Sequence, residues 1–269
     1  MSFESPKPLK KEPSPEQLEK ADLLIGRLEE PVREMLQPLL EKIEAGEYGV
    51  LLGEDASGRI PALIVRDVMK SIYEKHGNSF KTRFIAGTPR ESTMTPETLS
   101  EKTKGNEKYV ENLKNEVGDK RILLITDFIN TGEAVRAITN ALHDAGISFD
   151  IGTLRLSELT IEKSEMEKNL QGTIYNADYP PFEGGSGTSI YGEYFLGGVV
   201  KDELSDPGSV HAVPIRNFIE NHSRFEKDKM FDARTHVRTD DQDVAQTLTN
   251  HARKEVHAVS ERILTSFGY

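Results

Sequence analysis

The chain has 269 residues, 36% of them hydrophobic and 29% charged, enough for one large α/β domain with additions or for two small ones. A net charge of −11 and a pI near 5.2, with no basic stripe, disfavour generic attraction to nucleic acid phosphates. The absence of cysteine excludes disulfide scaffolds, thiolate nucleophiles and Cys-ligated zinc, and no apolar run approaches the ~20 residues that span a bilayer.

Residues 1–13 carry three prolines and mixed charge without a hydrophobic period, and are expected to be a mobile leader; with no apolar signal segment, a cytoplasmic location is expected. Ser14 and Pro15, followed by Glu16 and Glu19, read as a helix start. From Leu18 to Ile43 an apolar stripe is broken by Pro31 and Pro38, which predicts two or three short helices over 14–46, ended by Gly46.

Tyr48 to Leu52 reads as the first core strand. It runs into the turn GEDASGRIP, which holds two acids, two glycines, a Ser and an Arg, and leads to a helix marked by Ala62, Val65, Val68, Met69 and Ile72. Here Gly58 lets backbone N–H groups face an anion and Arg59 adds a forked donor. Thr82 to Ala86 is a second strand, and the polar stretch Gly87 to Gly105 has the length of a lid. Lys108 to Val117 is a short helix.

The most informative stretch is RILLITDFINTGEAVRAITNALHDA, Arg121 to Ala145. Ile122 to Ile125 is an aliphatic strand buried on both faces, and Asp127 follows it. Asn130, Thr131 and Gly132 form a tight loop, after which Val135, Ile138, Leu142 and Ala145 recur at helical spacing. A loop of this kind, backed by a helix N-terminus, suits a phosphate, and an acid beside it suits sugar hydroxyls.

ITDFINTGEA resembles the phosphoribosyl-pyrophosphate motif of type I phosphoribosyltransferases. The resemblance covers about residues 48–156 and implies a phosphoribosyltransferase-like α/β fold: an open parallel sheet with helices on both faces, here with N- and C-terminal helical extensions. It also implies the roles of residues. Asp127 matches the second of the family's two acids, which hold the ribose hydroxyls, and is the residue expected to act in catalysis. Thr131 and Gly132 match the phosphate loop, and Glu133 and Ala134 open the helix. The departures are Thr126 in the place of the first acid, Ala134 in place of a terminal hydroxyl, and Asn130 where 6-oxopurine enzymes of the family carry an Asp. The turn Ala56, Ser57, Gly58 and Arg59 is similar to the family's pyrophosphate loop. Arg90, Lys102 and Lys104 lie in the slot of its flexible catalytic loop. Magnesium would enter with the phosphoribosyl pyrophosphate, and no metal site of the protein's own is expected.

Ile147 to Leu156 reads as the next parallel strand. Beyond Glu158 the resemblance fades. Ile174 to Gly198 interleaves glycines and aromatics as a β-hairpin would, and Tyr191 or Tyr194 would stack a base if the family's pocket extends there. The histidines of the C-terminal third, His211, His222, His236, His251 and His257, include no metal-binding pair on one helix face. Val244, Leu248, Ala252, Val256, Val259, Ile263 and Phe267 predict an amphipathic helix over 240–267. The expected organisation is a leader at 1–13, helices at 14–46, an α/β domain at 47–239 and a helix at 240–269.

Two functions fit. One is an enzyme using Mg-phosphoribosyl pyrophosphate, exchanging pyrophosphate for a nucleobase-like acceptor at the anomeric carbon. The other is a non-catalytic protein of the same fold that binds a nucleotide or phosphoribosyl compound as a regulator or interaction module. Thr126 favours the second, since one carboxylate is missing; weak or absent transfer is expected, and an acid restored at position 126 is expected to strengthen ribose binding. The two terminal helical regions look longer than one sheet needs, so a homodimer is expected.

Overall fold

The computed structural model describes residues 12–55, 58–86, 109–157, 162–178 and 242–269. The N-terminal segment forms α1 (Pro15–Gly26), α2 (Glu29–Leu36), a 3-10 turn (Gln37–Leu39) and α3 (Leu40–Glu44). Pro31 falls in the first turn of α2 and Pro38 in the 3-10 turn, both places where a missing N–H costs no helical bond. Gly46, at φ +70°, ends α3 in the left-handed conformation that glycine tolerates.

Five strands follow: β1 (Tyr48–Asp55), β2 (Lys81–Ala86), β3 (Arg121–Ile129), β4 (Phe149–Leu156) and β5 (Thr173–Asn176). They form one sheet in the order β2-β1-β3-β4-β5, and every pairing is parallel. Between them run α4 (Arg59–Lys75), α5 (helical over 109–117), α6 (Glu133–Asp144) and α7 (Lys163–Leu170), and α8 (Gln242–Ser266) closes the chain. This is the expected open parallel sheet with helices on both faces.

Val50, Leu51 and Leu52 on β1 and Ile122 to Ile125 on β3 are buried whichever way they point, because both faces are covered. One core lies under α2, α3 and α4 and takes in Leu51, Leu123 and Ile125. The other lies under α5, α6 and α7 and takes in Val50, Leu52, Ile122 and Leu124. Consecutive strand residues feed opposite cores, as the two-residue repeat of a strand requires.

Several boundaries differ from the sequence expectation. β1 continues three residues past Leu52, through Gly53, Glu54 and Asp55, because they pair with Phe84, Ile85 and Ala86 of β2. β3 likewise runs beyond Ile125, so Asp127 sits inside the strand rather than after it. α7 and β5 were not anticipated. β5 is a short parallel edge strand on β4, whereas a hairpin had been expected to begin at Ile174.

A buried ion network fastens the amino-terminal end of the sheet. The Asp150 carboxylate accepts from Arg121 Nη2 at 2.7 Å, from the Tyr48 hydroxyl at 2.7 Å and from Lys42 Nζ at 3.0 Å. Lys42 also donates to the Tyr175 hydroxyl at 3.0 Å. The network thereby ties α3, β1, β3, β4 and β5 together. Burial alone would raise the Asp150 pKa, but the hydrogen bonds from Arg121, Tyr48 and Lys42 outweigh it and hold the carboxyl below its ordinary value.

α8 lies across α1, α2 and α4, with Ala252, Val256, Val259, Ile263 and Leu264 buried in the first core. The Ser260 hydroxyl donates to the carbonyl of Ile64 in α4 at 3.2 Å, and Arg262 pairs with Glu29 of α2. These apolar residues of the C-terminal helix are covered within the chain itself.

Candidate functional site

The strand order reverses at β1. From β1 the chain passes through α4 to β2 on one side, and then returns to lay β3, β4 and β5 on the other. Since α4 packs in the first core and α6 in the second, the connections leaving β1 and β3 diverge to opposite faces of the sheet. A crevice therefore opens between the carboxyl ends of β1 and β3, which is where open α/β sheets bind ligands.

Two helix starts border that crevice. α4, of 17 residues, begins after Gly58, and α6, of 12 residues, begins after Gly132; neither N-cap glycine supplies a side-chain cap. The first-turn N–H groups and the positive dipole end of each helix thus meet the carboxyl edge of the sheet, an arrangement suited to anions.

Gly58 seats the first of these helices. A Cβ there would lie 2.8 Å from the carbonyl oxygen of Ile125, 2.9 Å from that of Glu54 and 2.9 Å from Thr126 Cα, so only glycine lets the α4 start rest on the β1 and β3 backbones. Gly132 stands at φ +75° and faces α7, where a Cβ would meet Met166 Sδ at 2.9 Å. The tight turn into α6 depends on it.

Thr126 is fully buried and Asp127 is 3% exposed; the Asp127 Oδ1 accepts the N–H of Phe128 at 2.8 Å. The Thr126 hydroxyl donates to the carboxylate of Glu54, which is itself 8% exposed. Glu54 shares the face of Val50 and Leu52, and Thr126 that of Ile122 and Leu124, so the two side chains meet on the α6 side of the sheet. Across β3 the row continues to Thr153, paired with Thr126 in register, whose hydroxyl donates to the Asp127 carbonyl at 3.2 Å.

Asn130 is half-buried, whereas Thr131 and Glu133 are exposed at the start of α6. Thr131 Oγ1 lies 3.5 Å from the Glu133 N–H, and Arg136 Nη2 lies 3.4 Å from the Thr131 carbonyl oxygen, both long contacts. The structure therefore gathers Thr126, Asp127, Asn130, Thr131, Gly132 and Glu133 at one edge with Gly58 and Arg59. Ala134 lies in the first turn of α6, and its side chain is outside the described residues.

Arg59 is the first residue of α4 and is 5% exposed, with its guanidinium 5.0 Å from the centroid of the Phe84 ring. The sequence reading makes it a forked donor to phosphate oxygens in the turn after β1. Burial and the cation–π contact with β2 hold it under the start of the helix. Ala56 and Ser57 fall outside the described residues, as do Arg90, Lys102, Lys104, Tyr191, Tyr194, His211, His222 and His236.

Three residues of this edge escaped the sequence reading. Glu54 was seen only as one of two acids in a turn, and its place at the end of β1 became visible with the register. Phe128 and Arg155 are paired across β3 and β4, with the guanidinium 5.6 Å from the ring centroid. Strand alternation past Ile125 was the available signal for them. Among the described residues no group of three His, Asp or Glu is placed to hold a metal ion, and no helix is long and apolar enough to cross a membrane.

No family model matches the chain, and no curated protein does. Among solved structures, a purine phosphoribosyltransferase from Pyrococcus horikoshii Ot3 is similar over 64% of this chain and 97% of its own, at 13% identity and a TM-score of 0.29. A score of that size carries no argument about this chain, whose fold class rests on its own sheet.

Proposed function

We propose that the protein binds a phosphoribosyl compound, ribose 5-phosphate or its pyrophosphorylated form, in the crevice between β1 and β3. The observation that carries this reading is the convergence of two helix starts without N-cap side chains and a buried acid, Asp127, at the point where the strand order reverses. In this reading the turn from Asn130 to Ala134 holds the 5-phosphate through the α6 N-terminus, and Ala56 to Arg59 hold the pyrophosphate at the α4 N-terminus. Asp127 accepts hydrogen bonds from ribose hydroxyls.

Magnesium, which prefers oxygen ligands, arrives on the phosphates in this reading, and the carboxylates of Asp127 and Glu54 are oxygen donors of the kind it accepts. When bound, it would neutralise charge on the pyrophosphate. A homodimer and a cytoplasmic location belong to the same proposal.

The test is isothermal titration with ribose 5-phosphate and phosphoribosyl pyrophosphate, with and without magnesium. Binding is expected, and Asp127→Asn should weaken it about tenfold to a hundredfold, since a hydrogen bond to a charged group contributes about 1.5–3 kcal/mol. Absence of heat with every phosphoribosyl ligand would refute the reading.

A second reading, a non-catalytic nucleotide-binding regulator of the same fold, is favoured by the hydroxyl of Thr126 standing where a carboxylate would stabilise growing positive charge on the sugar. Pyrophosphate release measured against a panel of nucleobases separates the two. Turnover within the ordinary enzyme range of roughly 1 to 1,000 per second would establish transfer.

A further inference from the structure

We infer that Glu54 is the second carboxylate of this sugar site, delivered by β1 in place of the acid absent from β3, and that Thr126 is the residue that positions it. The inference rests on the phosphoribosyl reading and adds to it a residue from another strand. Thr126 donates its hydroxyl directly to the Glu54 carboxylate. The glutamate thus places its charge against the side chain at position 126, in the space that a longer acid growing from 126 would fill. Both residues are buried at the carboxyl ends of the strands that border the crevice. A carboxylate accepts hydrogen bonds on both oxygens, so at the ligand edge of the sheet Glu54 can take a sugar hydroxyl beside the Thr126 donor. Moving the acid from β3 to β1 keeps a pair of carboxylates at the switch point, Glu54 from one strand and Asp127 from the other, while the short Thr126 leaves room for the incoming side chain.

The arrangement changes the expectation for position 126. Thr126→Glu alone would press a second carboxylate against Glu54, and like charges in a buried place oppose each other, so this variant should lose thermal stability and gain no affinity.

The experiment compares titrations of ribose 5-phosphate and of inorganic phosphate into the natural protein, Asp127→Asn, Glu54→Gln, Thr126→Val, Thr126→Glu and the reciprocal swap Glu54→Thr/Thr126→Glu, with circular dichroism melting of each. For Glu54→Gln the affinity for ribose 5-phosphate should fall tenfold or more while that for inorganic phosphate stays within about twofold. Thr126→Val should lose several-fold in the same ratio. The swap should return to within about threefold of the natural protein, and it keeps the test open if a single variant fails to fold.

Unchanged ribose 5-phosphate binding in Glu54→Gln, beside a loss in Asp127→Asn, overturns the role of Glu54 and leaves the phosphoribosyl reading standing. An equal loss for both ligands overturns it too, because it marks general damage. If the natural protein binds neither ligand, the reading itself fails and the assignment of Glu54 falls with it.

Discussion

A side-chain carbon added at Gly58 would stand 2.9 Å from the Cα of Thr126, so the start of α4 and the carboxyl-terminal part of β3 are in backbone contact. The neighbouring atoms are main chain and cannot swing aside. Gly58→Ala should therefore destabilise the fold by about 1–3 kcal/mol, the range for overpacking a tight interior. Because the strain falls on Thr126, it should also weaken ribose 5-phosphate binding. Chemical denaturation and titration of the same sample measure both effects, and an alanine variant equal to the natural protein in both would show that the contact is relaxed in solution.

Gly132 sits at φ +75°, where a Cβ costs about 1–2 kcal/mol before any clash, and Met166 of α7 lies in the way of one. Gly132→Ala is expected to lower stability by at least that amount and to loosen the turn into α6. Ribose 5-phosphate and inorganic phosphate should both bind more weakly to it, because the turn proposed to hold the phosphate is altered. This outcome differs from that expected for Glu54→Gln, which leaves phosphate binding nearly unchanged.

Asp150 titrates below its ordinary value of 3.8: burial acts to raise it, and the donors Arg121, Tyr48 and Lys42 more than offset that. A carboxyl with a depressed folded-state pKa contributes stability that is fully present above its unfolded value and disappears as pH falls through the folded one. Stability should hold near neutrality and decline as pH drops below about 4, the unfolded aspartate value. In Asp150→Asn that acid-side slope should be shallower. The variant should also lose about 3 kcal/mol at neutral pH, the lower end for breaking a buried pair, because Lys42 and Arg121 keep about a third of their side-chain surface in solvent. Denaturation at pH 7, 5 and 3 measures both.

Ile263 is fully buried in the core formed by α1, α2, α4 and α8, with no surface left to solvent. Ile263→Ala should cost about 2–5 kcal/mol through lost burial and the cavity left behind. A value below 1 kcal/mol would mean that α8 detaches readily from α1 and α4. Light scattering on the natural protein reads the assembly state separately, since these α8 residues are committed within the chain and a dimer would have to use another surface.

How the sequence divides from the structure is clearest at β1 and β3. Ile122 to Ile125 identified a doubly buried strand because a continuous aliphatic run has few other homes. Asn130, Thr131 and Gly132 marked the turn into α6, since glycine and a helical period leave little choice of backbone. The apolar stripe of α8 was equally plain, yet its partner was not. Periodicity says which face of a helix is apolar, while the identity of the covering surface depends on contacts distant in the chain, here with α1 and α4.

Position 126 shows the limit most sharply. The sequence by itself determined that Thr-Asp follows the aliphatic run, with one acid where the motif it resembles has two, and that a glycine turn into a helix comes after. It placed Glu54 in a loop, because the apolar signal of β1 stops at Leu52 and three further residues join the strand only by pairing with β2. Tertiary structure alone decided that Glu54 and Thr126 meet, 72 residues apart in sequence. Strand register governs which side chains lie side by side, and register is set by packing across the whole sheet rather than by either strand's own residues.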